Sequence, residues 1–367
     1  MTAAYAYLDH NATSPMRPVV LDAVVEALRA GGNPSSVHRP GRAARARLDK
    51  ARRQVAGLVG ALPAEVVFTS GGTEANNMAL AGSGRQRVLV SAIEHESVLN
   101  AVPNAERIPV DCNGVIDLGA LERMLAAEPA LVSVMFANNE TGVIQPIAEV
   151  VRLARAAGAW VHCDAVQAAG KVPVDLRGLG VDYLSLSAHK LGGPTGVGAL
   201  VVRTGAPFAT DRIGGGQESY RRAGTENVGG IAGFGAAAEA SRDGLDVAVL
   251  RDRIEAGLPM ARVHGAAAPR LPNTSCLSMP GVKAETQVMA LDLAGVGVSA
   301  GSACSSGKVT RSAVLAAMGV VPADADAAIR ISCGWNTVFE DIDRLIATWR
   351  DLYIRVARSD MSQAQAA

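Results

Sequence analysis

At 367 residues, 49% hydrophobic, the chain is long enough to bury two cores and reads as a globular protein of two domains. Its 35 basic and 35 acidic side chains cancel, which excludes a total field that recruits nucleic acid or anionic lipid and favours a small-molecule substrate. The opening MTAAYAYLDHNATSP has no basic segment leading into an apolar one, and no stretch reaches the apolar length of a membrane span, so a cytoplasmic protein is expected.

Between about residues 17 and 60, VVLDAVVEALRA and RAARARLDKARRQVAGLVGA repeat apolar residues at three and four spacing. Helices are predicted there, with the arginines on a solvated face. Short β-branched runs then alternate with helical stretches: EVVFTS, RVLVSA, LVSVMF, AWVHCD, DYLSLS and GALVVR. Such alternation predicts an α/β fold, a mostly parallel sheet with helices on both faces. Polar clusters follow five of these strands, namely GGTEANN, IEHES, ANNETG, AVQ and AHK. All fall at carboxyl ends, where open α/β sheets bind their ligands. A further helical stretch, AAAEASRDGLDVAVLRDRIEAG, occupies roughly residues 235–260, and PNTSCLSM, GVSAGSAC and AIRISCG follow as short strands of a smaller α+β domain. The expected division is 16–255 for the large domain and 1–15 with 256–367 for the small one. The final SDMSQAQAA reads as a disordered tail.

The five cysteines show no CxxC pair and no Cys/His spacing of a zinc site, so neither a disulfide framework nor a structural metal is expected. Cys304 differs from a packed core thiol in its surroundings. SAGSACSSG offers almost nothing to pack against, with Lys308 and Arg311 just beyond, and predicts a loop at about 299–311 that presents an accessible thiol.

Only five of the basic residues are lysines, and Lys190 ends an apolar strand before a glycine-rich turn. A strand-end lysine is often a surface cation. In an apolar cleft, however, a lysine has a lowered pKa and forms a Schiff base with a carbonyl, the obvious one being pyridoxal phosphate. That cofactor needs a phosphate cradle, a carboxylate for its pyridine nitrogen and a group stacked on its ring. Gly72 and Thr73 in SGGTEANN open a helix suited to a phosphate, with Ser187 and His189 close to Lys190, although SGGT is equally a helix cap. Asp164 ends AWVHCD and suits the pyridine nitrogen or, alternatively, an N-cap. His95 suits stacking and proton transfer or, alternatively, simple solvation. Asn139 and Gln167 are donors for the phenolic oxygen and the substrate.

Taken in order, FTSGGTEANN, SAIEHESVL, NNETGVIQPI, HCDAVQAAGKVPVD, SLSAHKLGGPTGVGAL, GGGQESYRRAGTENV, VSAGSACSSG and AIRIS resemble the cysteine desulfurases of the class V aminotransferase family. These are fold type I pyridoxal phosphate enzymes, and the likeness is closest to the long-loop subgroup of nitrogen-fixation and iron–sulfur-cluster desulfurases. The resemblance implies a homodimer that converts L-cysteine to L-alanine and passes the sulfur, as a Cys304 persulfide, to an acceptor such as an iron–sulfur scaffold protein. Lys190 would carry the cofactor, Asp164 would face the pyridinium, His95 would stack and move protons, Gln167 would bind the phenolic oxygen, and Asn139 would touch cofactor and substrate. Gly72, Thr73, Ser187 and His189 would hold the phosphate, joined by Thr225 from the neighbouring subunit. Arg330 would grip the substrate carboxylate, for which its planar fork is suited. A selenocysteine lyase or cysteine sulfinate desulfinase of the same fold would need Cys304 less, and a silent sulfur carrier would not need Lys190. The sequence departs from the family pattern at His10, at Glu218–Tyr220, and at Cys333 and Trp335 in IRISCGW.

Overall fold

The β-branched runs come together as the middle of a seven-stranded sheet. A computed structural model describes residues 5–242, 244, 246–301 and 311–366. Its strands are β1 (Ala6–Tyr7), β2 (Val66–Thr69), β3 (Val88–Ser91), β4 (Glu106–Ile108), β5 (Leu131–Ser133), β6 (Trp160–Asp164), β7 (Tyr183–Ser187), β8 (Gly198–Val202), β9 (Arg262–Val263), β10 (Thr274–Ser278), β11 (Val296–Gly297), β12 (Ser299–Ala300) and β13 (Ala328–Ser332). The large sheet has the order β2-β8-β7-β6-β5-β3-β4. From β7 through β4 the pairs are parallel, and β8 runs antiparallel between β2 and β7.

Helices cover both faces, so β5, β7 and β8 are buried throughout and read as continuous apolar runs. Along β2, Val66 and Phe68 enter one core while Val67 enters the other, as the two-residue repeat of a strand requires. The first core includes Val20 of α1 (Pro18–Ala30), Leu48 and Val55 of α2 (Arg39–Leu58), and Phe234 of the Val228–Ala240 helix. The second includes Met78 and Leu80 of α3 (Gly72–Gly82). On the Val228–Ala240 helix, a Cβ at Gly233 would lie 2.5 Å from Val24 Cγ2, and one at Gly235 would lie 2.6 Å from Ala51 Cα. Glycine there lets three helices approach closely.

Three expectations change, the first at the tail: SDMSQAQAA, expected to be disordered, continues the Phe339–Ala366 helix as far as Ala366. The helical stretch at 235–260 is two helices, Val228–Ala240 and Ala248–Gly257, because Gly244 turns the chain at φ +80°. The arginines of α2 are not all solvated either: Arg52 lies over the Phe68 ring and makes two bonds to the buried Glu218, at 2.6 and 2.7 Å.

Beyond the large sheet, β12-β13-β10-β9 form an antiparallel sheet, and β1 pairs in parallel with β11. This unit has its own core of Leu8, Leu277, Ile329, Ile331, Ile342 and Trp349, the last two on the Phe339–Ala366 helix. The Ala248–Gly257 helix joins it through Leu250 and Ile254. Among the described residues, no helix is long and apolar enough to cross a membrane, and no three His, Cys, Asp or Glu side chains group as metal ligands.

Candidate active site

Parallel strands end at one edge of a sheet, so the residues just past their ends share a neighbourhood. Here they line one cleft of about 320 Å³. Gly72 and Thr73 reach it from beyond β2, His95 from beyond β3 and Asn139 from beyond β5. Asp164 and Gln167 reach it from the end of β6, Ser187, His189 and Lys190 from the end of β7, and Arg330 from β13 of the second sheet. Ten of the residues singled out in the sequence thus meet in one place.

Asp164 is buried at the strand end with both oxygens fixed. Val166 N donates to Oδ1 at 2.9 Å and Asn76 Nδ2 donates to Oδ2 at 2.7 Å. No helix follows Asp164, where a turn runs over residues 166–171, so the helix-cap alternative is not met, and the second oxygen is held by a side chain of α3. Burial and the charge of Asp164 push the neighbouring Glu94 carboxyl well above the usual range. His95 is half-buried, and Ser97 N donates to its Nδ1 at 3.1 Å. In the neutral ring this bond places the proton on Nε2.

Lys190 Nζ donates to Asn11 O at 2.5 Å and Ala12 O at 2.7 Å, so it is anchored to the N-terminal segment rather than to solvent. His189 Nδ1 bonds Thr13 Oγ1 at 2.6 Å, and burial, with Lys190 beside it, holds its imidazole down to about 4. At the start of α3, where Gly72 and Thr73 line the cleft, the first backbone N–H groups have no partner in the helix, the usual setting for a phosphate. Gly72 keeps that place tight and smooth: a Cβ there would come within 2.9 Å of Val166 Cγ2.

Arg330 is buried, donating to Asp9 Oδ1 at 2.8 Å and Asn139 O at 3.2 Å. Its Nε is buried without a partner among the described residues. An N–H in that position costs stability unless an incoming acceptor meets it. The donor set therefore fits pyridoxal phosphate and a carboxylate substrate: a lysine, a buried carboxylate, an anion-binding helix start, an imidazole and an incompletely bonded guanidinium.

Thr225 is exposed and does not line the cleft, and Cys304 and Lys308 lie outside the described residues. Arg311 is exposed and paired with Asp326 at 3.0 Å. Of the other cysteines, Cys163, Cys276 and Cys333 are buried and Cys112 is exposed. Burial pushes the Cys333 thiol up to about 12 and the Cys163 thiol well above its usual value. The departures at Trp335 and His10 have local partners. Trp335 Nε1 donates to Pro15 O at 2.9 Å beneath the Arg17 guanidinium, and His10 bonds Ser14 Oγ at 2.9 Å.

Sequence reasoning passed over Asp9, Asn11 and Asn76. The first two sit in YLDHNATSP and the third in GGTEANN, but neither helical nor strand periodicity marks a residue whose partner lies more than 80 positions away.

The family described as Aminotransferase class-V matches residues 6–345. A cysteine desulfurase of Cereibacter sphaeroides is 47% identical over 361 residues, covering 93% of each chain. Among solved structures, a NifS-like protein from Rickettsia africae superposes with a TM-score of 0.89 at 35% identity, covering 95% of this chain and 99% of that one. A structure described as SspA in complex with cysteine has a TM-score of 0.78 at 29% identity, covering 89% of this chain and 98% of that one.

Proposed function

Because the chain belongs to the class V aminotransferase family and is a cysteine desulfurase of it, we propose that the cleft binds pyridoxal phosphate on Lys190 and delivers the sulfur of L-cysteine to Cys304. The observation that carries this reading is the convergence of Lys190, Asp164, His95 and Arg330 on one cleft from four separate strands. When bound, pyridoxal phosphate supplies an electron sink for the bond-breaking at the substrate's Cα and Cβ.

The chain's own residues do the rest. Lys190 Nζ would provide the covalent attachment and a base close to the substrate. Asp164, fixed by Asn76 and Val166 N, holds negative charge where a pyridine nitrogen must stay protonated. The N–H groups at the start of α3, with Ser187 and His189, would hold the phosphate. Gln167 would donate to the phenolic oxygen, and Asn139 would serve cofactor and substrate. His95 would lie at the ring and give or take a proton at Nε2. Arg330, already oriented by Asp9, binds the substrate carboxylate.

Cys304 Sγ forms an S–S bond as the substrate's Cβ–S bond breaks. The balance is L-cysteine plus one thiol giving L-alanine plus one persulfide, with no external oxidant or reductant. The sulfur then passes to an acceptor protein, for which an iron–sulfur scaffold has the right chemistry. Thr225, exposed in the single chain, is assigned to the phosphate of a second copy in a homodimer. Sedimentation at the mass of one chain would remove that assignment.

Brief exposure to cysteine followed by mass spectrometry of peptides tests the sulfur route. One added sulfur is expected on the peptide containing Cys304, and Cys304→Ser should keep its cofactor absorption and its response to cysteine while losing alanine formation. Sulfur on Cys112 or Cys333 instead, or normal alanine release by Cys304→Ser, would refute it.

A further inference from the structure

Lys171 has no part in the scheme above, yet it is buried behind the cleft four residues after Gln167. A buried lysine is costly unless its N–H groups are met. Its Nζ donates to Gln167 Oε1 and to Asn11 Oδ1, each at 2.8 Å. Both acceptors are the oxygen ends of side-chain amides, and an ammonium, having no lone pair, can meet an amide at no other end. The consequence is directional. Gln167 Nε2 is turned the other way, donating one N–H to Asn11 O at 3.0 Å and leaving its second for the cleft that Gln167 lines. Asn11 is fixed by the same contact, with Asn273 Nδ2 adding a bond to Oδ1 at 3.1 Å and its own Nδ2 donating to Thr274 Oγ1 at 2.9 Å. Asn11 O is in turn an acceptor of Lys190 Nζ.

We propose that Lys171 is a positioning residue of the active site, which by holding the oxygen ends of Gln167 and Asn11 presents a Gln167 N–H to the bound cofactor and seats Asn11 against Lys190. The inference rests on the cofactor reading given above. The charged and titratable groups around the Lys171 amine are Lys190, Arg330 and His10. Burial, together with Lys190 and Arg330, pushes the amine well below its ordinary value.

The test is the pH titration of the visible absorption band of the holoenzyme, without substrate, in wild type, Lys171→Met, Gln167→Ala and the double variant. Loss of a donor to a developing phenolate raises its pKa. Each single variant is therefore expected to raise the midpoint by about one pH unit, the size set by one buried hydrogen bond. The double variant should rise no further than Gln167→Ala, as for two residues acting as a unit. An unmoved midpoint in Lys171→Met, or additive shifts, overturns the inference. If Lys171→Met does not fold, Lys171→Gln takes its place with the same two outcomes, since its shorter side chain cannot reach both acceptors. A wild-type holoenzyme preparation with no such band overturns the cofactor reading and this inference together, whereas a normal wild-type band with an unmoved variant removes this inference alone.

Discussion

Asp164 shows how a single residue type acquires a role from its partners. As a sequence letter it is a strand-end carboxylate, and half of its bonding, to Val166 N, is what any cap would make. The other half, from Asn76 Nδ2, makes the site specific, because that donor is itself steered by Ser97 Oγ at 2.9 Å. In Asp164→Asn, the new amide must either turn its own N–H groups toward Asn76 or give up the Val166 bond, and the charge is lost in both cases. Turnover is expected to fall on the order of a thousandfold or more with the fold retained, read as alanine release alongside circular dichroism. Near-normal turnover would leave Asp164 as a turn residue only. The cysteines make the same point in reverse. Cys163 and Cys276 lie in β6 and β10 with no exposure, and burial pushes both thiols well above their ordinary value, which disfavours the thiolate.

The segment Gln217–Tyr220 illustrates a conflict between local preference and tertiary demand at the scale of one element. Glu218, Ser219 and Tyr220 all have positive φ, at 47°, 56° and 63°, a region that disfavours L side chains. The turn is kept because Glu218 is tied down at both ends, receiving Arg52 and Phe68 N, the latter at 2.9 Å. Tyr220 contributes little in return, since its side chain is 77% exposed. Tyr220→Gly should relieve about 1–2 kcal/mol of left-handed strain against roughly 0.5–1 kcal/mol of added unfolded-state entropy. A net gain of up to about 1.5 kcal/mol is expected in urea unfolding; a loss would mean that the Tyr220 ring packs usefully against Gly216. Sequence inspection noted Glu218–Tyr220 as a departure from the family pattern, but the backbone conformation that makes it matter is set by Arg52, more than 160 residues earlier.

Across the whole molecule, Glu140 joins the large-sheet unit to the second one. It follows Asn139 of the cleft, is buried, and accepts a hydrogen bond from Ser312 Oγ, on the second unit, at 2.6 Å. Burial pushes its carboxyl up to about 7, against the pull of Ser312 and Arg330. A carboxyl with a raised folded-state pKa binds more protons folded than unfolded between about pH 4.5 and 7. Its contribution to stability is thus complete below that window and is lost as pH rises through it. Glu140→Gln should therefore gain on wild type by about 2–3 kcal/mol between pH 5 and pH 8, measured as the difference in unfolding free energy, in which the buried histidines cancel because both proteins share them. A difference that does not change with pH would show that Glu140 is ionised throughout. At this scale the division between what is legible and what is not becomes physical. The strand runs, their parallel arrangement and the polar residues at their ends follow from the sequence by itself, because a strand buried on both faces must be apolar and its ligand-binding end must not be. Lys190, Asp164 and His95 are legible for that reason. What only the tertiary structure decided is which residues hold them: Asn11 on Lys190, Asn76 on Asp164, Asp9 on Arg330 and Lys171 on Gln167. Three of these four bonds join residues dozens to hundreds of positions apart, and even the Lys171 bond takes its direction from Asn11; no periodicity along the chain records such pairs, because they arise only when separate elements pack against one another.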